Sequence, residues 1–169
     1  MNAWDRISAT VVSEFSDLPD LEALTRVVMR LLIAALLGGM LGLQREYHGK
    51  EAGVRTHMLV AIGSALFVLV PLQAGADPAD LSRVIQGVVA GVGFLCAGTI
   101  LKITGSGDEQ VRGLTTAAGI WLTAAIGIAV GLGREMTGVL CTVLALAVLA
   151  LEGPIRRVAG RRRPSEPGT

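Results

Sequence analysis

Long uncharged stretches separated by short polar ones set the pattern of this chain. Residues 58–76, 84–101, 113–133 and 136–151 contain no charged side chain. Residues 24–43 carry only Arg26 and Arg30, both near the start. A membrane-spanning helix needs about 20 mostly apolar residues, within a range of about 17–25. Four runs fit directly. The last fits once its start is taken at Arg134 and its charged ends snorkel to the interface. A single buried core cannot absorb five such runs in so short a chain. The pattern therefore predicts an all-α integral membrane protein. Its five transmembrane helices fall at residues 24–43, 58–76, 84–103, 113–133 and 134–151, within one domain at 24–152.

The flanks read differently. Residues 1–23 carry five acids and one arginine. Trp4, Ile7, Val11, Phe15 and Leu18 recur at helical spacing, which predicts a short helix lying in the membrane interface. Ser16, Asp17 and Pro19 read as a turn, with Asp20 as N-cap of the first span. No cleaved signal peptide is expected: the first apolar run is too long for a signal core and lacks a basic segment before it. Residues 153–169, with Arg156, Arg157 and Arg161 to Arg163, predict a basic, disordered cytoplasmic tail that contacts anionic lipid.

Lysine and arginine placement gives the orientation. One side collects Arg45, Lys50, Arg55, Lys102, Arg112 and the five tail arginines. The other keeps Arg6, Arg26, Arg30, Arg83 and Arg134. Ten against five predicts the N-terminus outside and the C-terminus inside.

Composition agrees with a membrane solvent. Hydrophobic residues make up 51% of the 169 and charged ones 17%, with mean hydropathy +0.59. That balance excludes a disordered chain and argues against a soluble enzyme. A formal net charge of +1 leaves no overall footprint for nucleic acid. Cys96 and Cys141 lie deep in apolar runs, form no spaced motif, and read as small packing residues.

Twenty-two glycines change the picture further. Lipid is as apolar as leucine, so helices in it associate through close packing of small residues. Gly38/Gly42, Gly87/Gly91 and Gly127/Gly131 are small-xxx-small pairs, and Gly93 and Gly98 extend the stripe in the third span. All eight are expected at helix contacts.

The densest polar segment, residues 44–57, joins the first two spans. Arg45 and Glu46 close the first, where a cation suits the helix C-terminus. Arg55, Thr56 and His57 open the second. Cations there oppose the helix dipole and need compensation from Glu46, Glu51, lipid phosphate or a partner. The segment reads either as an orientation determinant touching lipid or as a docking surface. Arg112, Thr115 and Thr116 flank the neighbouring loop. His48 and His57, nine residues apart, match no local metal motif. Asp108 and Glu109 in the Gly105–Gly107 loop offer at most a weak Mg²⁺ contact and read more simply as a solvated turn. For ion conduction the inventory at depth is thin: Arg30, which snorkels or pairs with Gln86, and a few hydroxyls. There is no G-x-x-x-x-G-K-[ST], and no nucleophile, base and acid converge. Neither a cofactor nor a metal is expected.

Two blocks carry a resemblance. Gly38-Gly39-Met40-Leu41-Gly42-Leu43-Gln44-Arg45-Glu46 with Ala52-Gly53-Val54-Arg55-Thr56-His57-Met58-Leu59-Val60 resembles the signature of the MgtC/SapB family. Gly91-Val92-Gly93-Phe94-Leu95-Cys96-Ala97-Gly98-Thr99-Ile100, then Val111-Arg112-Gly113-Leu114-Thr115-Thr116 and Trp121, agrees. The resemblance implies a multi-pass protein of the bacterial inner membrane with the same five-helix layout. It further implies links to growth under Mg²⁺ limitation and to intracellular survival of pathogens. The family carries an older Mg²⁺-transport label and a regulatory one, action on other membrane proteins including ATP synthase and cation transporters. This chain has Gln44 where Glu is common and Cys96 where Gly is usual. It also runs only 18 residues past the fifth span, where well-known members continue into a small regulatory domain.

The leading expectation is thus a non-enzymatic membrane protein acting on partners through Arg45, Glu46, Arg55, Thr56, His57, Arg112, Thr115 and Thr116. The rival is a subunit for transport of Mg²⁺ or another ion, forming a homo-oligomer through the glycine faces with Arg30 and Gln86 near its outer mouth.

Overall fold

The computed structural model describes residues 2–14, 16, 20–104 and 109–151. The basic tail at 153–169, the Gly105–Asp108 segment, Phe15 and the Asp17–Pro19 part of the expected turn lie outside the described residues. The order is α1 (Ala3–Glu14), α2 (Leu21–Tyr47), α3 (Val54–Gln73), α4 (Pro78–Gly98), β1 (Leu101–Thr104), β2 (Glu109–Arg112), α5 (Leu114–Gly131) and α6 (Glu135–Ala150).

The helix ends follow local chemistry rather than the limits of the uncharged runs. Asp20 caps α2, its Oδ1 accepting the Ala23 N–H at 2.6 Å. Asp77 caps α4 in the same way through the Asp80 N–H at 2.9 Å, with Pro78 just inside the start. Polar residues at 44–47, 54–57 and 78–83 are helical because a helix continues until its end groups are capped, whether or not its side chains are apolar. α2 therefore runs four residues past the expected end at 43 and carries Arg45 with it.

Four helices, α2 to α5, are long and apolar enough to cross a membrane. α6 has 16 residues, about 24 Å at 1.5 Å per residue, against a hydrocarbon core of about 30 Å. Its start is fixed by the turn at Gly133, whose φ is 77°. α1 buries none of its residues, and Trp4, Ile7 and Val11 are all exposed along it.

The run read as helical to residue 103 requires correction. Helix stops at Gly98, and Leu101–Thr104 pairs antiparallel with Glu109–Arg112, from Leu101↔Arg112 to Thr104↔Glu109. This hairpin is the one departure from an all-helical fold among the described residues. It ends at Gly113, whose φ of 90° is open to glycine without strain. A Cβ at Gly113 would collide with the Thr99 carbonyl oxygen, so the return into α5 passes hard against the end of α4.

α5 is the hub, touching α2, α3, α4 and α6; 56% of its span is buried, against 11% for α4. Glycine makes the contacts of α2 and α5 with α3. A Cβ at Gly38 would lie 2.6 Å from the His57 carbonyl oxygen, and one at Gly42 2.6 Å from Val54 Cα. On the other side Gly127 and Gly131 lie against the Ala61 and Ala65 carbonyls. These four glycines pack as expected. Gly87, Gly91, Gly93 and Gly98 do not: a Cβ on any of them meets open space. Gly87 and Gly91 line a cavity of about 580 Å³ between α4 and α3, across from Leu59, Gly63 and Phe67. α4 is seated instead by Cys96, whose Sγ donates to the Ala117 carbonyl at 3.1 Å.

Candidate functional site

The 48–53 loop and the β1–β2 hairpin share one end of the bundle, because Ala52 packs with Cys96 of α4 and Ala117 of α5. At this end the last turn of α2 meets the first turns of α3 and α5. The chain leaves α2 through Gly49, at φ 64°, and re-enters helix at Val54. Glu46 bridges the two helices: its Oε2 accepts the Val54 N–H at 3.0 Å. A carboxylate thus satisfies an open backbone donor of α3 and offsets its dipole next to Arg55. Of the compensations weighed from the sequence, the structure shows that of Glu46.

The eight expected docking residues divide into two sets. Arg45, His57 and Thr116 are buried, at 1%, 0% and 6% exposure. Glu46, Arg55, Thr56, Arg112 and Thr115 are exposed. Arg45 is drawn inward because α2 lies tight on α3 at Gly38 and Gly42, and its Nη2 donates to Thr116 Oγ1 at 3.1 Å. His57 turns its ring the same way. Its Nδ1 bonds the Gly53 carbonyl at 3.0 Å, while its buried Nε2 has no hydrogen-bond partner among the described residues. That nitrogen faces Gly119 of α5, where a Cβ would stand 3.6 Å from it.

Arg45, His57 and Thr115 line one wall of a cavity of about 350 Å³ between α2, α3, α5 and α6. The remaining lining is almost wholly apolar, including Leu41, Leu122 and Leu149. Leu144 and Val148 at its rim are 57% and 66% exposed, so the cavity is open on that side.

The opposite end holds a second polar cluster. Arg30 Nη1 donates to the Gly131 carbonyl at 3.0 Å, and Nε lies 3.5 Å from Glu135 Oε1. Gly133 leaves room for this guanidinium. Gln86 is exposed on α4, so Arg30 pairs with the α5–α6 turn and not with Gln86. Glu135, Gly53 and Gly119 were missed as site-forming positions. A charge just after a Gly-Arg turn was the available signal for Glu135; the other two have none in a single sequence. Among the described residues no group of three or more His, Cys, Asp or Glu could hold a metal ion.

Comparison with known proteins accords with this architecture. The chain is 48% identical to SrpB of Synechococcus elongatus over 146 residues, covering 81% of this chain and 80% of SrpB. It is 43% identical over 129 residues to YhiD of Escherichia coli K12, whose name proposes a magnesium transporter, and 41% identical over 125 residues to MgtC of Brucella abortus. The matched regions span 58% and 50% of those two proteins, so the chain corresponds to little more than half of their length. No solved structure matches it. Residues 31–158 match the MgtC family, and with four helices apolar enough to cross a bilayer the chain is a membrane protein that belongs to this family.

Proposed function

We propose that this chain is a non-enzymatic modulator of other membrane proteins, serving adaptation to magnesium limitation. It sits in the bacterial inner membrane with five spans, the N-terminus outside and the C-terminus inside. α6 makes the fifth span, with Arg134 snorkelling at its start.

The observation that carries this reading is the apolar layer between the two polar ends. Arg30 and Arg45 lie 15 residues apart on α2, about 22 Å along the axis. Between them the core consists of Ala34, Leu37 and Leu41 against Ala61, Ala65 and Ile126. The buried hydroxyls of Thr123 and Thr142 donate to the Gly119 and Gly138 carbonyls of their own helices, at 2.8 and 2.9 Å. An ion path requires polar groups that replace the hydration shell, and the described residues of this layer offer only the three hydroxyls of Ser64, Thr123 and Thr142, with no buried charge or amide. The exposed Arg55 and Thr56, with Arg112 and Thr115 nearby, supply a polar contact surface beside the membrane. Its partners are inner-membrane proteins such as ATP synthase or cation transporters, with the basic tail held to anionic lipid at about 1 kcal/mol per basic residue.

The test is copurification from native membranes. Arg55→Ala should lose partner proteins that the unaltered chain retains, while its thermal melting in detergent is unchanged. Retention of the same partners would refute the docking role of this surface.

A second reading, transport of Mg²⁺, draws on the name of YhiD and on the α4 stripe. Gly87, Gly91, Gly93 and Gly98 are unfilled by this chain's own helices, which leaves them available to a second copy. In that reading a homo-oligomer, and not the single bundle, forms the path.

A further inference from the structure

The cavity at the loop end has features that neither docking nor transport uses. It lies between four helices, opens sideways past Leu144 and Val148, and has about 350 Å³ of space, within the usual range of ligand pockets of about 300–1,000 Å³. One end of its wall is polar and the rest is apolar. At the polar end His57 is fully buried, and its Nε2 has no hydrogen-bond partner among the described residues. The Gly53 carbonyl can only accept, so Nδ1 carries the hydrogen in the bond to it. In the uncharged ring Nε2 is then a lone-pair acceptor. A buried acceptor without a donor costs free energy, and the ring that carries this one lines the cavity.

The occupant must therefore bring a hydrogen-bond donor at one end and apolar bulk at the other. Arg45, in the same wall, disfavours a cationic donor such as an ammonium and favours a hydroxyl on a neutral or anionic group. We propose that this cavity binds one hydroxyl-bearing membrane lipid of the phosphatidylglycerol type. A head hydroxyl donates to His57 Nε2, the head lies beside Arg45, and an acyl chain enters past Leu144 and lies against Leu41, Leu122 and Leu149. This site is independent of whether the protein modulates partners or carries an ion.

Native mass spectrometry of the full chain in mixed micelles tests the site, with phosphatidylglycerol and phosphatidylethanolamine as probes. The unaltered protein should retain one phosphatidylglycerol per chain, saturably, and in preference to phosphatidylethanolamine. His57→Phe removes the acceptor at similar size and should weaken retention about tenfold, the loss of one hydrogen bond to a buried group. Ala118→Phe fills the cavity from an exposed lining position, without disturbing His57, and should abolish retention with thermal melting unchanged. It keeps the test valid if His57→Phe fails to fold. Equal retention of both lipids, undiminished retention by Ala118→Phe, or no retained lipid would each overturn the proposal; the last would leave water as the partner of Nε2.

Discussion

Arg45 Nη2 donates to Thr116 Oγ1 at 3.1 Å, tying the last turn of α2 to the first turn of α5. Both side chains are buried, and the two residues are 71 positions apart in sequence. Thr115, the adjacent hydroxyl, is exposed. Hydrogen bonds to charged groups contribute about 1.5–3 kcal/mol. Thr116→Val should therefore destabilise the bundle by about 1–2 kcal/mol, while Thr115→Val stays within about 0.5 kcal/mol. Reversible unfolding in bicelles measures the difference. Equal effects would mean that the Arg45 contact contributes no stability.

Glu46 belongs to the fold before it belongs to any docking surface. Its carboxylate caps α3 through the Val54 N–H. Glu46→Ala should cost about 1 kcal/mol, the usual cost of losing a helix cap. Glu46→Gln, which keeps an acceptor oxygen, should recover part of it. Amide hydrogen exchange over residues 54–57 reads this locally, with faster exchange expected in the alanine variant.

The glycines separate into two classes that a stability series can distinguish. Gly38→Val and Gly131→Val drive a side chain into the backbone of α3 and should lose about 1–3 kcal/mol or more. Gly87→Val and Gly91→Val place theirs in open space and should leave the unfolding of the single chain within about 0.5 kcal/mol. A large loss at Gly87 or Gly91 would indicate that α4 is packed in the native state, as a second copy would make it.

Arg30 ties α2 to the α5–α6 turn through the Gly131 carbonyl and Glu135. Arg30→Ala should raise hydrogen exchange at residues 131–135 and leave the loop end unchanged. Uniform change along α2 would point to general loosening instead of loss of this tether.

Much of this was legible in the sequence because a membrane restricts the choices. Apolar runs of sufficient length located the four long helices α2 to α5, and Gly38/Gly42 and Gly127/Gly131 stood at contacts, as close packing in lipid requires. The same motif at Gly87/Gly91 does not pack within the chain, since spacing says that a face is smooth and not what covers it. The hairpin was hidden by the apolar run leading into it. Ile103, Thr104 and Val111 around Gly-Ser-Gly were a strand-and-turn signal that the hydrophobicity of the third span outweighed. The polar cluster was found as a group, but its division was not. Thr56 and His57 are neighbours in sequence, as are Thr115 and Thr116, and only the approach of α2 and α5 to α3 decides which of each pair is buried.

The central claim is that the protein acts on partners and is not itself a conduit. Mg²⁺ uptake into liposomes containing the full chain, followed with an enclosed Mg²⁺-sensitive dye, tests it most directly. Uptake should be indistinguishable from that of empty liposomes while hydrogen exchange verifies the fold of the incorporated protein. Saturable, protein-dependent uptake that falls with Arg30→Ala would contradict the account.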